Sequence, residues 1–123
     1  MFKKYFGDKF SKFIDDELEK YGINEFVGYD NVTYKSKILA LLDENFKEVK
    51  TLETGSTGWV MLDKTPFYAT SGGQNGDIGA LEDNKHIAII EDTSKFHGLN
   101  LSKVKIEHSN INQGETVEAV VVN

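Results

Sequence analysis

The chain has 123 residues, no cysteine and a formal net charge of −6 at pH 7. This length suits one domain, and 39% hydrophobic with 28% charged residues is typical of a soluble globular protein. The composition excludes disulfides, and the acidic charge excludes strong nucleic-acid binding by phosphate neutralisation alone. With no apolar run long enough to span a bilayer and no signal peptide, we expect a cytoplasmic protein without a membrane partner.

Residues 8–21 have the spacing of an amphipathic helix. Apolar side chains recur at every third or fourth position: Phe6, Phe10, Phe13, Ile14, Leu18 and Tyr21. Asp8 suits the N-cap and Gly22 a left-handed C-cap. We therefore assign residues 1–23 to an N-terminal helical segment whose Phe-rich face is buried, in the core or against a neighbouring domain.

Short strands follow after Gly28, separated by turn signals and by no further helix. The predicted strands are Lys37–Asp43, Phe46–Leu52, Gly58–Leu62, Thr65–Ala69, Ile78–Glu82, His86–Asp92, Lys103–His108 and Thr116–Val122. The clearest alternation of apolar and polar positions lies in the last two. Many short strands at close spacing favour closure, so we predict a small antiparallel β-barrel over residues 24–123.

The stretch TPFYATSGGQNGDIG, residues 65–79, differs from the rest of the chain. It holds the only proline and four of the eleven glycines. A hairpin uses glycines at positive φ, whereas a binding loop uses them to bring backbone N–H groups close to ribose or phosphate oxygens. It has neither a P-loop end nor a Gly-x-Gly-x-x-Gly pattern. The residues alone leave both interpretations open.

Catalytic patterns are nearly absent from the sequence. His86, His97 and His108 have no second histidine at metal-ligand spacing and no carboxylate cluster beside them, so we predict no metal site. Ser71 has no base near it in sequence, so no catalytic residue is assigned. Trp59 is assigned to the core.

The glycine-rich stretch resembles the motif of alanyl-tRNA synthetases and of freestanding alanyl-tRNA editing proteins, Thr-Pro-Phe-Tyr-Ala-Glu-Ser-Gly-Gly-Gln-x-Gly-Asp-x-Gly. Thr70 replaces its Glu. Further similarity covers Phe26–Asp30, Lys37–Leu41, Asp92–Lys95 and Gly114–Ala119. Two departures are Ser102, where many members have His, and Ser109, where Gly is common.

The resemblance implies a translation-protein-type β-barrel from a longer protein, with the tail of a preceding helical region. It implies that the loop lies beside an editing pocket for mischarged tRNA. The residues implied in positioning the tRNA 3′ end are Ser71, Gly72, Gly73, Gln74, Gly76 and Asp77. ATP with magnesium, and zinc, would be held outside this chain, in neighbouring aminoacylation and editing domains; the partner would be alanine-specific tRNA.

Three alternatives remain at this stage. The first alternative is that the chain is part of a freestanding alanyl-tRNA editing hydrolase. The Gly-Gly-Gln sequence also occurs at the tip of peptide-chain release factors, where it promotes ester cleavage on tRNA. A plain oligonucleotide-binding barrel is the third alternative, and it requires a basic face with exposed aromatic residues.

Overall fold

A computed structural model describes the barrel and part of the chain before it. The described residues are Lys12, Asp15, Asp16, Glu19, Lys20, Glu25, Phe26 and residues 33–68, 76–83, 87–96 and 99–122. Within this part of the chain, no helix is long and apolar enough to cross a membrane. The apolar positions of the predicted N-terminal helix lie outside the described residues, so that helix stays a prediction.

The described residues form eleven strands. In chain order they are β1 (Glu25–Phe26), β2 (Thr33–Asp43), β3 (Glu48–Val49), β4 (Thr51–Leu52), β5 (Thr57–Leu62), β6 (Lys64–Thr65), β7 (Ile78–Glu82), β8 (Ile87–Phe96), β9 (Leu99–His108), β10 (Ile111–Asn112) and β11 (Thr116–Val122). Six of them form the barrel wall, and the five two-residue strands lie outside that ring.

The barrel is closed and antiparallel, as the sequence predicted. Its strands follow the order β11-β7-β8-β9-β5-β2, and β11 pairs with β2 as well as with β7, which closes the ring. The closing register places Val117 opposite Ser36 and Ala119 opposite Tyr34. Closure removes the unpaired edges that an open sheet of this size would expose.

The interior is filled by alternate residues of the six wall strands, because successive side chains in a strand point to opposite faces. Val104, Ile106, Val117 and Ala119 are all buried within it, at 1% exposure or less, which confirms the alternation read from the last two predicted strands. Other interior residues include Ile38, Leu41, Val60, Leu62, Phe67, Leu81 and Ile90.

Several strand bounds differ from the prediction. Ile78–Glu82 and Thr116–Val122 are confirmed, whereas the predicted strand Phe46–Leu52 is two short strands, β3 and β4. The predicted strand Thr65–Ala69 is wrong at residues 66–68, and Ala69 lies outside the described residues. Pro66 has no N–H to donate to a ladder, and the next two amides bond side chains instead of a neighbouring strand.

Trp59 was also assigned wrongly. It lies on the outer side of β5, half-buried, and stacks on Phe46 with ring centroids 5.4 Å apart and an interplanar angle of 26°. Its two neighbours in β5, Gly58 and Val60, are buried, and Val60 belongs to the interior cluster. Strand alternation thus places the indole on the outside of the barrel.

Candidate nucleic-acid interface at the base of the glycine-rich loop

The structure describes both ends of the glycine-rich loop. Thr65 ends β6, Ile78 begins β7, and residues 66–68 and 76–77 connect these strands to the loop. Among the predicted site residues, Gly76 and Asp77 are described, whereas Ser71, Gly72, Gly73 and Gln74 lie outside the described residues. The structure therefore tests how the loop is anchored.

Two reciprocal hydrogen bonds join the ends of the loop. The amide of Tyr68 donates to Oδ2 of Asp77 at 3.0 Å, and the amide of Asp77 donates to the carbonyl oxygen of Tyr68, also at 3.0 Å. A carboxylate that accepts a backbone N–H makes a charge-assisted bond, which is stronger than a neutral one. Asp77 thereby holds the two described ends of the loop together.

A second carboxylate holds the returning end of the loop against β8. Oδ1 of Asp92 accepts from the amide of Gly76 at 2.7 Å and from the amide of Thr93 at 2.9 Å. A Cβ on Gly76 would overlap the carbonyl oxygen of Thr93, so only glycine allows this approach. The need for glycine here is steric, since Gly76 is not among the described glycines with positive φ.

Behind this contact, two buried hydroxyl groups link the loop to β9. Thr93 is fully buried, and its Oγ1 donates to the carbonyl oxygen of Asp77 at 3.1 Å and lies 3.0 Å from Oγ of Ser102. Ser102 is 3% exposed and lies opposite Thr93 in the β8–β9 ladder. Ser102 is thus a hydrogen-bonding partner of Thr93 and supports the loop base.

Phe67 anchors the outgoing end of the loop in the barrel interior. Its ring is fully buried, and its amide donates to Oγ1 of Thr65 at 3.1 Å. The ring lies over Gly79, where an added Cβ would be 2.7 Å from Cε1 of Phe67 and would overlap the carbonyl oxygen of Val120. The next residue, Tyr68, is 55% exposed and presents its ring to solvent beside the loop.

The chemistry available at this base is positioning. Asp77 and Asp92 engage backbone amides, and Thr93 and Ser102 engage each other. Within the described ranges, no three His, Asp or Glu residues are grouped so that they could hold a metal ion. His108 is exposed, and the other two histidines lie outside the described residues. The prediction of no metal and no catalytic residue stays a prediction.

Sequence reasoning missed the two strands that support the loop. It found Asp77 within the motif but gave no site role to Asp92, Thr93 or Ser102, which follow in β8 and β9. The only signal for them was the similarity of Asp92–Lys95 to the family. No periodicity shows that a carboxylate in one strand caps a glycine in another segment, because that contact depends on the barrel register.

Comparison with known proteins identifies a family and relatives that match most of this chain. Residues 3–123 match the family described as tRNA synthetases class II (A). The chain is 80% identical over 106 residues to an alanine–tRNA ligase of Aliarcobacter butzleri, which covers 86% of this chain and 12% of that protein. The ligase of Sulfurimonas denitrificans is 52% identical over 104 residues, covering 85% of this chain and 12% of the ligase.

An alanine–tRNA ligase of Campylobacter jejuni is 58% identical over 88 residues, which cover 72% of this chain and 10% of that ligase. The chain thus spans about 12% of the length of the relatives it matches most extensively. Its barrel and glycine-rich loop are those of a class II tRNA synthetase. Within that class, the chain belongs to the alanyl-tRNA synthetase family.

Proposed function

We propose that this chain is the β-barrel portion of an alanine–tRNA ligase and that its glycine-rich loop positions the 3′ end of mischarged tRNA for editing hydrolysis. The observation that carries the proposal is the double closure of the loop base by Asp77 and Asp92. Holding both ends of the loop on a closed barrel fixes the positions from which the intervening residues leave and rejoin the barrel. Such preorganisation is what positioning a reacting ester requires.

In this proposal the loop acts through close backbone approach. Ser71, Gly72, Gly73 and Gln74 would supply a hydroxyl group, backbone amides and one carboxamide, which suit the oxygens of a terminal ribose. Gly76 and Asp77 hold these four loop residues in place. The net charge of −6 implies that affinity for the rest of the tRNA comes from other parts of the ligase.

The remaining chemistry belongs elsewhere in the longer protein. ATP with magnesium would serve aminoacylation, and zinc would supply water activation for hydrolysis, each in a neighbouring domain outside this chain. The partner is alanine-specific tRNA, and the protein acts in the cytoplasm. The isolated chain accordingly binds tRNA weakly and hydrolyses neither alanyl- nor seryl-tRNA.

The test uses the full-length ligase with Gly73→Ala and Gln74→Ala. Both variants are expected to slow hydrolysis of seryl-tRNA bearing the alanine identity by roughly a hundredfold, because misplacement of about 1 Å at a reacting centre has that effect. Alanine charging and the melting temperature should stay at the parental values, since charging occurs in a separate domain.

A glycine far from the loop is the matched control. Gly55 lies in the turn before β5 with φ +89°, and a Cβ there would meet no atom within 4 Å. Gly55→Ala therefore changes the barrel without touching the loop. The full-length ligase with this substitution should hydrolyse mischarged tRNA at the parental rate. Parental editing rates for both loop variants would reject the positioning role. Enzyme-like deacylation by the isolated chain would instead favour a hydrolase of its own.

A further inference from the structure

A cavity of about 490 Å³ lies beside Trp59 on the outer side of β5. This volume is in the range of small-ligand sites in proteins. The lining combines two aromatic rings with a threonine and three charged side chains: Phe46, Trp59, Thr57, Glu44, Glu91 and Lys103. None of these residues belongs to the loop base, so the positioning of the loop does not account for the cavity.

A strained turn holds the two aromatic residues of the cavity together. Phe46 has φ 61°, a left-handed conformation that bulky side chains rarely adopt. Its amide donates to the carbonyl oxygen of Asp43 at 3.0 Å, and Oδ1 of Asp43 accepts the amides of Asn45 at 2.9 Å and Lys47 at 3.0 Å. Glycine would make this turn with less strain. With phenylalanine, the turn instead places an aromatic ring on Trp59.

One carboxylate of the lining lies at an irregularity in the sheet. In the β8–β9 ladder, Ile90 lies opposite Val104, and Asp92 lies opposite Lys103. β8 therefore has one extra residue here, Glu91. A β-bulge changes the direction of side chains and is common next to active sites. Glu91 is exposed and lines the cavity, while Asp92 supports the loop base.

The charges of the lining favour a cationic ligand. Glu44 and Glu91 contribute two exposed carboxylates, and Lys103 contributes the one ammonium group among the described lining residues. Two negative charges and one positive charge leave one net negative charge. Phosphate groups of RNA would be repelled by both carboxylates. A cation is attracted by the faces of aromatic rings, most strongly by that of tryptophan.

Arginine suits this lining better than lysine does. Its guanidinium group is planar, stacks on aromatic rings and donates several N–H groups to carboxylates, whereas an ammonium group does not stack. The chain contains fourteen lysines and no arginine, so neither the chain nor a second copy of it supplies a guanidinium group. We propose that the cavity binds the arginine side chain of a protein segment outside this chain, stacked on the aromatic pair and held by Glu44 and Glu91.

The segment that carries this arginine belongs to the same longer protein. The chain spans about 12% of the alanine–tRNA ligases that it matches most extensively. A contact by one side chain is weak between separate molecules, because association has an entropic cost. Attachment to the same polypeptide raises the effective concentration enough to fill such a site. This choice of source rests on the proposed function, whereas the arginine site itself does not.

Peptide binding by the isolated chain tests the site. Trp59 is the only tryptophan, so its emission reports on the cavity. The probe is acetyl-Gly-Arg-Gly-amide, and the control peptide has citrulline, which keeps the shape of arginine without its charge. We expect a saturable change of the Trp59 emission at millimolar arginine peptide and binding at least about tenfold weaker with citrulline, because charged hydrogen bonds are lost. No saturable change, equal binding of both peptides, or tighter binding of adenosine monophosphate would overturn the proposal.

Charge variants test whether the lining makes the contact. Glu44→Gln and Glu91→Gln should each weaken binding of the arginine peptide by about tenfold, since each removes one charged acceptor and keeps the side-chain shape. Lys103→Gln should strengthen it several-fold by removing a like charge. Glu107→Gln is the matched control, because Glu107 is exposed on β9 but does not line the cavity. An equal loss of affinity in Glu107→Gln and Glu91→Gln would show that overall charge attracts the peptide, and would reject the site.

Crosslinking in the purified full-length ligase tests the source of the arginine. Lys103, which is exposed and lines the cavity, is replaced by the photocrosslinker benzoylphenylalanine. Mass spectrometry after irradiation should identify an arginine-containing segment of the ligase outside this chain. Crosslinks confined to this chain would reject that source. The measurement needs no tRNA, so its outcome is independent of the editing rates that test the proposed function.

Discussion

Tyr68 and Asp77 exchange two hydrogen bonds, each of 3.0 Å, and so close the glycine-rich loop at its base. One bond uses backbone atoms of both residues, and the other uses the Asp77 carboxylate. The side chain of Asp77 therefore has a structural role that its position in the family motif does not reveal.

Replacing Asp77 should loosen the loop base. Asp77→Ala removes the acceptor of the Tyr68 amide and is expected to destabilise the fold by about 1 kcal/mol, the usual loss for one exposed hydrogen bond. Urea denaturation measures the change, and faster hydrogen exchange at the Tyr68 amide locates it.

Asp63→Ala is the control for this prediction. Oδ1 of Asp63 also accepts backbone amides, from Lys37 at 2.8 Å and Lys64 at 2.7 Å, but on another part of the barrel. It should lower stability similarly without changing exchange at Tyr68. If the Tyr68 amide exchanges its hydrogen at the same rate in Asp77→Ala as in the parent chain, its hydrogen bond to the Asp77 carboxylate does not protect it in solution.

Two glycines should differ in their response to alanine. A Cβ on Gly79 overlaps the carbonyl oxygen of Val120 and contacts the Phe67 ring, so Gly79→Ala should cost at least about 3 kcal/mol. Gly114 has φ +91° and no atom within 4 Å of an added Cβ, so Gly114→Ala should cost about 1 kcal/mol from backbone strain alone. Equal losses in denaturant titrations would contradict the steric account of Gly79.

Ser109 has φ 63°, a left-handed conformation that glycine adopts more readily than serine. Ser109→Gly should stabilise the protein by about 0.5 kcal/mol, because relief of left-handed strain exceeds the added entropy of the unfolded chain. Phe46, with φ 61°, is the comparison: Phe46→Gly relieves the same strain but loses the stack on Trp59, so it should destabilise. A lower melting temperature for Ser109→Gly would refute the strain argument.

The hydroxyl groups of Thr93 and Ser102 should behave as a coupled pair. Thr93→Val leaves the Ser102 hydroxyl and the Asp77 carbonyl without this partner, at a cost of about 1–3 kcal/mol. Adding Ser102→Ala should cost less in the Thr93→Val background than in the parent, which a double-mutant cycle of unfolding free energies measures. Strict additivity would mean that the two hydroxyl groups do not interact.

Metal content gives a direct test of the histidine prediction. We expect no stoichiometric zinc in the purified chain, because no two histidines have ligand spacing in the sequence. Elemental analysis after dialysis against a chelator measures it. About one tightly held zinc per chain would overturn our interpretation of His86, His97 and His108.

The sequence predicted the fold class because strand alternation and turn chemistry are local. Val104, Ile106, Val117 and Ala119 alternate with polar residues in the chain, and all four are interior residues in the barrel. The predicted strand bounds were wrong where tertiary contacts replaced the hydrogen bonds between neighbouring strands. Thr65–Ala69 has β-forming residues, but the Asp77 carboxylate captures the Tyr68 amide and the strand ends early.

The candidate site also has one part that the sequence identified and another that it did not. The motif identified residues 65–79 and the family, since its residue types are contiguous and specific. The supporting residues Asp92 and Ser102 were not assigned, because their role arises from the register of β7, β8 and β9. In the sequence, an aspartate that caps a backbone amide cannot be distinguished from any other aspartate, because strand pairing determines which amide lies beside it.

By itself, then, the sequence determined what depends on neighbours in the chain: a mainly β domain, its interior faces and the family of its loop. The tertiary structure alone decided what depends on residues far apart in the chain. Such features include the closure of β11 on β2, the hydrogen bonds at the loop base, and the burial of Leu42 and Met61. Local sequence contains no measure of these contacts, because barrel geometry determines which distant residues meet.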